Sequence, residues 1–161
     1  MLLHGWPEFW MIWDRVIAAL AEGFDVVAPD LRGFGATDKP VLAATDGYTI
    51  DHHVGDLLGL ADGLGFERFG VVSHDVGAYM AQAFARAHPD RLAGLFFFEL
   101  VGSSRRACEV YFRHFMDHWA GSPEAFAGDC DFEAVEGAGH YVARERPGLA
   151  AREITDFFSG G

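Results

Sequence analysis

The sequence predicts an α/β fold in which a mostly parallel sheet carries helices on both faces. Three observations lead there. Short β-rich apolar runs alternate with amphipathic helical stretches in the order β-α-β-α-β-α-β as far as Phe98. Polar, glycine-rich turns follow the strands, where ligands sit in such sheets. Half of the 161 residues (50%) are hydrophobic, enough for one buried core.

Taken in order, Met1–Leu3 reads as the end of a strand that runs into His4-Gly5-Trp6-Pro7-Glu8. Pro7 opens a helical pattern in which Trp10, Trp13, Ile17 and Leu20 return on one face, and Gly23 closes it. Phe24–Ala28 reads as a buried parallel strand, followed by the glycine-rich loop Pro29-Asp30-Leu31-Arg32-Gly33-Phe34-Gly35. Residues 41–48 show no period and read as an exposed loop. Thr49 or Asp51 caps a helix with the stripe Val54, Leu57, Ala61 and Leu64, and Gly65 ends it. Phe69–Val72 is the next strand, and a small-residue helix runs from near Val76 to about His88. Leu92–Phe98 is a buried strand ending on Glu99. A broad apolar helical face (Cys108, Phe112, Phe115, Met116, Trp119) follows. Phe132–Val135 is a short strand candidate, Gly137-Ala138-Gly139-His140 a loop presenting a histidine, and Pro147 starts a last helix.

The net charge of −12 argues against nucleic acid and anionic membranes as partners. Cys108 and Cys130 have neither disulfide-framework nor metal spacing and read as free thiols of a reducing, cytoplasmic compartment. No apolar run reaches membrane-spanning length, and the N-terminus lacks the positive region of a signal peptide. No cofactor motif is present. His52-His53 read as surface residues and His114 with His118 as a solvated helix face, so no metal site is expected.

The chemistry concentrates at Gly70-Val71-Val72-Ser73-His74-Asp75-Val76-Gly77-Ala78. A strand, a sharp turn and a helix in immediate succession hold one side chain, Asp75, exposed above the sheet and near a helix N-terminus. Small residues at Ser73 and Gly77 let strand and helix pass in contact. With Asp at the tip, covalent chemistry would run through a carboxylate ester; Ser73, two positions earlier, faces the packing side. His4, Asp30, Asp75 and Glu99 all lie at strand ends on one edge of the expected sheet.

Four motifs, His4-Gly5-Trp6-Pro7, Asp30-Leu31-Arg32-Gly33-Phe34-Gly35, Ser73-His74-Asp75-Val76-Gly77 and Gly137-Ala138-Gly139-His140, resemble, in order, those of the α/β-hydrolase fold, in its aspartate-nucleophile branch of epoxide hydrolases and dehalogenases. The resemblance implies that Asp75 is the nucleophile, His140 the base that activates water, and the Trp6 and Val76 N–H groups the oxyanion hole. Glu99, 99 − 75 = 24 residues past the nucleophile, matches the dehalogenase-type position of the third triad member, with Asp129 and Asp131 as the other acids nearby in sequence. Asp30 would tie its loop down. The family pattern also has an antiparallel strand pair before the first motif, a full cap and a further strand–helix unit. The chain therefore reads as a shortened α/β-hydrolase core, residues 1–99 and 130–161, with a partial helical cap, residues 100–129.

The reaction implied is epoxide opening to a diol through an aspartyl ester, on a small apolar electrophilic substrate and without a cofactor. Tyr111 is the cap tyrosine available to protonate the ring oxygen, and Trp10 is a pocket candidate. Two alternatives stand beside it. A haloacid or haloalkane dehalogenase is weakened by Val76, where those enzymes carry Arg or Trp. A non-catalytic remnant is the other, and sheet edges left open by absent strands would favour self-association.

Overall fold

The structure, a computed structural model, describes residues 1–98 and 138–160. Three parallel strands lie side by side in chain order: β1 (Leu2–Leu3), β2 (Phe69–His74) and β3 (Leu92–Phe98). Leu2 faces Val72 across the first pair, and Val72 faces Phe96 across the second.

The two-residue side-chain alternation of the strands divides the core into two layers. Met1, Leu3, Phe69 and Val71 point to one face, and there meet Val54, Leu57 and Ala61 of α3 (Ile50–Gly63) and Met80, Ala81 and Phe84 of α4 (Val76–Ala87). Leu2, Val72 and Phe98 point to the other. They meet Trp13, Val16 and Leu20 from α1 (Asp14–Leu20) and the short 3-10 turn Trp10–Trp13 before it. Val142 and Ala143 of α5 (Val142–Glu145) and Ala150, Ala151 and Ile154 of α6 (Pro147–Ser159) complete that layer. A parallel sheet covered on both faces is the architecture expected from the sequence.

Several expectations are corrected. Phe24–Ala28 forms no strand; its link to the sheet is the bond from the Leu2 N–H to the Val27 carbonyl at 2.8 Å. The strand it would pair with is two residues long and offers little ladder, although Phe24, Val26 and Ala28 still pack on that face. Regular α-helix starts at Asp14 rather than at Pro7, which is joined to Trp6 by a cis peptide. The loop at 41–48 contains one helical turn, α2 (Ala44–Gly47). Leu64 leaves the α3 stripe and is exposed, because it lies past the helix end at the left-handed Gly65. His53, expected at the surface, is buried on α3 beside Val54. Glu99, Tyr111, His114, His118, the cap segment 100–129 and the candidate strand Phe132–Val135 lie outside the described residues.

Candidate active site

β2 ends at His74, α4 begins at Val76, and Asp75 occupies the junction with φ 52° and ψ −123°. That is the left-handed half of backbone space, where a residue with a side chain is strained and is held only by its surroundings. Two glycines permit it. A Cβ on Gly77 would stand 2.5 Å from the His4 carbonyl, and one on Gly5 would stand 2.5 Å from the Asp75 Cβ. The loop after β1 and the elbow thus touch backbone to backbone.

That contact sets the carboxylate. The Trp6 N–H donates to Asp75 Oδ1 at 2.9 Å, and the imidazole Nε2 of His140 lies 3.6 Å from Oδ2. Val76, whose N–H is the other expected oxyanion donor, is the first residue of α4. The structure therefore brings together Asp75, His140, Trp6 and Val76, from three separate stretches of chain. Trp10 is partly exposed, and its N–H is taken by Asp30 Oδ1 at 2.8 Å. The other Asp30 oxygen accepts the Ala36 N–H at 2.7 Å, so this carboxylate ties two loops rather than facing the site.

His4 is buried and has its own task. Its Nδ1 donates to the Gly5 carbonyl at 2.8 Å and its Nε2 accepts the Leu31 N–H at 2.9 Å, a pattern met by the neutral ring. Burial pushes its pKa below the ordinary histidine value, outweighing the attraction of nearby Gly5, Asp30 and Glu8. The ring joins the turn after β1 to the Asp30 loop.

The histidine loop is clamped from two sides. Glu145 accepts the N–H groups of Gly139 (2.5 Å) and Tyr141 (3.2 Å), the two neighbours of His140. From the sheet, His74 Nε2 donates to the His140 carbonyl at 2.8 Å, while His74 Nδ1 lies 3.0 Å from Glu8 Oε2. Arg144 extends the anchoring to the first helix through the Met11 carbonyl (2.9 Å) and Asp14 (3.1 Å). Sequence reasoning gave no role to Glu8, His74 or Glu145. The available signal for two of them was their place at the motifs: Glu8 follows Trp6-Pro7, and His74 lies inside the elbow motif just before its tip. A surface groove of about 340 Å³ lined by Arg32, Asp51, His52, Gly55 and Asp56 shares no residue with this site. Among the described residues no group of His, Cys, Asp and Glu is arranged to hold a metal ion.

A family model described as the alpha/beta hydrolase fold matches residues 1–128. The chain belongs to the α/β-hydrolase fold family. Its curated relatives include an "Epoxide hydrolase 2" of Siraitia grosvenorii, 46% identical over 96 residues, which cover 59% of this chain and 30% of that protein. A "Soluble epoxide hydrolase" of Corynebacterium sp. (strain C12) is 41% identical over 101 residues, covering 63% of this chain and 34% of that one. The chain thus spans about a third of the length of these relatives. Among solved structures, a variant of a Vigna radiata epoxide hydrolase superposes with a TM-score of 0.59 at 39% identity, over 65% of this chain and 33% of that one. Cfl2 of Burkholderia cenocepacia superposes over 98% of this chain and 86% of its own, with a TM-score of 0.71 at 21% identity, a likeness of fold. No described helix is long and apolar enough to cross a membrane.

Proposed function

We propose that this α/β-hydrolase chain hydrolyses epoxides to diols through an ester on Asp75. The observation that carries the reading is the division of labour between the two carboxylate oxygens: Oδ1 holds the Trp6 N–H, and Oδ2 is turned toward His140. Oδ2 attacks an sp³ ring carbon, the ring C–O bond breaks, and the released oxygen takes a proton from an acid, for which Tyr111 is the candidate. Asp is suited to this step because it is ionised at neutral pH and needs no base. His140 Nε2 then removes a proton from water, and the hydroxide adds to the Asp75 carbonyl carbon. Negative charge gathers on Oδ1, against the Trp6 and Val76 N–H groups, before the ester bond breaks. The leaving oxygen takes the proton held on His140, which frees the diol, and the Asp75 carboxyl returns its proton to solvent. A 3.6 Å gap between base and carboxylate is wide for a direct hydrogen bond and suits a water placed against both. Glu99 is the candidate to hold the far side of the His140 ring.

The epoxide assignment also rests on the names of the relatives, which are epoxide hydrolases at 46% and 41% identity. The substrate is then a small apolar electrophile, and the site of action a reducing, cytoplasmic compartment in which the two cysteines stay free.

The test is intact mass spectrometry of His140→Ala after exposure to a panel of epoxides, haloacids and haloalkanes. Loss of the base stalls the cycle at the ester, so the expected product is protein plus the whole epoxide, absent when Asp75 is also changed to Asn. An adduct lacking halogen would reassign the chain to the dehalogenases. A folded variant with no adduct from any compound would overturn the reading.

A further inference from the structure

The ring of His74 meets Glu8 on one side and the His140 loop on the other, yet the proposed cycle gives it nothing to do. It is 1% exposed and stands on the last residue of β2, next to the elbow tip. Its ring centroid lies 4.6 Å from that of His140 and 5.8 Å from that of Tyr141. Both nitrogens meet acceptors. Nε2 faces the His140 carbonyl, which can only accept, so Nε2 carries a proton. Nδ1 faces Glu8 Oε2, so a second proton lies between this nitrogen and the carboxyl group, on one or the other. Glu8 itself sits on the turn that delivers the Trp6 N–H, and its own N–H is bound to the Gly5 carbonyl at 3.1 Å. The charged and titratable groups around the pair include Asp75 and His140 at the site, Tyr141 beside the His74 ring, and His4, which lies close enough to feel both Glu8 and His74.

We propose that Glu8 and His74 form a positioning pair that holds the water-activating His140 at its working distance from Asp75 by fixing the His140 carbonyl. The inference rests on the function proposed above. Its logic is geometric. The Glu8 turn supplies the oxyanion donor, the His74–Asp75 step supplies the nucleophile, and the His140 loop supplies the base. The buried ring spans the first and the last of these while its own backbone carries the second. A chain of two hydrogen bonds, Glu8 to His74 to His140, each spanning 66 residues, therefore sets the register of loops 140 − 8 = 132 residues apart. A base moved by about 1 Å loses roughly a hundredfold in rate. The first step, attack by Asp75, needs no base, so the pair acts on ester hydrolysis alone.

The experiment separates the two steps in the full chain. His74→Ala and Glu8→Ala are expected to form the epoxide ester at the wild-type rate and to hydrolyse it some tenfold to a hundredfold more slowly, so that ester accumulates, as is expected of His140→Ala. His74→Gln, whose amide still donates to the His140 carbonyl, is expected to restore hydrolysis. Equal slowing of both steps, or no rescue by Gln, would mean a merely structural ring and would overturn the proposal. If His74→Ala does not fold, Glu8→Ala carries the same comparison. A second readout is independent of turnover: the proton between His74 Nδ1 and Glu8 should give a slowly exchanging resonance in the wild type that is lost in Glu8→Ala. If no compound alkylates even His140→Ala, the epoxide reading has failed, and this resonance alone decides the pair. Its absence from the wild type, or its persistence unchanged in Glu8→Ala, overturns the proposal.

Discussion

His4 and His53 show how single buried residues set the pH range of the fold. Both are buried, and desolvation is the first cause that holds each pKa below the ordinary value of 6.5. In the window below 6.5 the unfolded chain takes up protons that the folded chain refuses. Stability from these rings is complete above 6.5 and is lost as the pH falls through that value toward the folded ones. The denaturation midpoint is therefore expected to fall between pH 7.5 and 5.5. The His53 Nδ1 is buried with no hydrogen-bond partner among the described residues, so His53→Leu removes a titrating group without orphaning a donor and should flatten the fall. An unchanged slope in the variant would show that His53 does not contribute. At this scale the site was partly legible. Asp75, His140 and Trp6 are named by short motifs because a strained elbow or a close turn admits few residue types. Glu8 and His74 were not, because their role exists only when residues 8, 74 and 140 meet in space, and no local spacing records that meeting.

Elements were legible where length and period agreed. The α3 and α4 helices and β2 follow their apolar patterns closely, while the four-residue turns α2 and α5 are too short to carry one. The failed strand at Phe24–Ala28 has the composition of a strand but lacks a neighbour long enough to pair with, which is a property of the sheet and not of the segment. The same tension between local preference and tertiary contact gives a prediction within the helices. Gly59 lies in the middle of α3 with nothing within 4 Å of a Cβ, so Gly59→Ala is expected to stabilise by roughly 0.5–1 kcal/mol. Gly77 is also helical, and propensity alone would favour alanine there as well. Its Cβ, however, would press on the backbone oxygens of His4 and Leu3, at 2.5 and 3.0 Å, which cannot swing away as a side chain does. Gly77→Ala is expected to cost about 1–3 kcal/mol, as overpacking does. Denaturant midpoints of the two variants should move in opposite directions; a gain at Gly77 would mean that the elbow is looser than its geometry requires.

For the molecule as a whole, charge separates the readings of function that the fold leaves together. Twenty-four acidic against twelve basic residues give a net charge of −12. The resulting self-repulsion destabilises the compact state and sets up a long-range negative potential. At about 0.01 M salt that potential reaches some 30 Å, and at 0.1 M about 10 Å, so ionic strength is a handle on it. Thermal stability is expected to rise as salt is added across this range. Turnover is expected to respond according to substrate. A neutral epoxide feels no steering, so its kcat/KM should stay flat between the two salt concentrations once the protein is held below its melting range. A haloacid carries a negative charge and is repelled on approach, so its kcat/KM would climb with salt as the field is screened. The comparison needs only initial rates at two ionic strengths and one temperature. Flat kinetics with an epoxide, beside a rising melting temperature, would place the electrostatics in stability and leave substrate choice to the shape and chemistry around Asp75. A climb with a neutral epoxide would mean that screening alters the site itself, with the Glu8–His74 pair and the His140–Asp75 contact the first places to look.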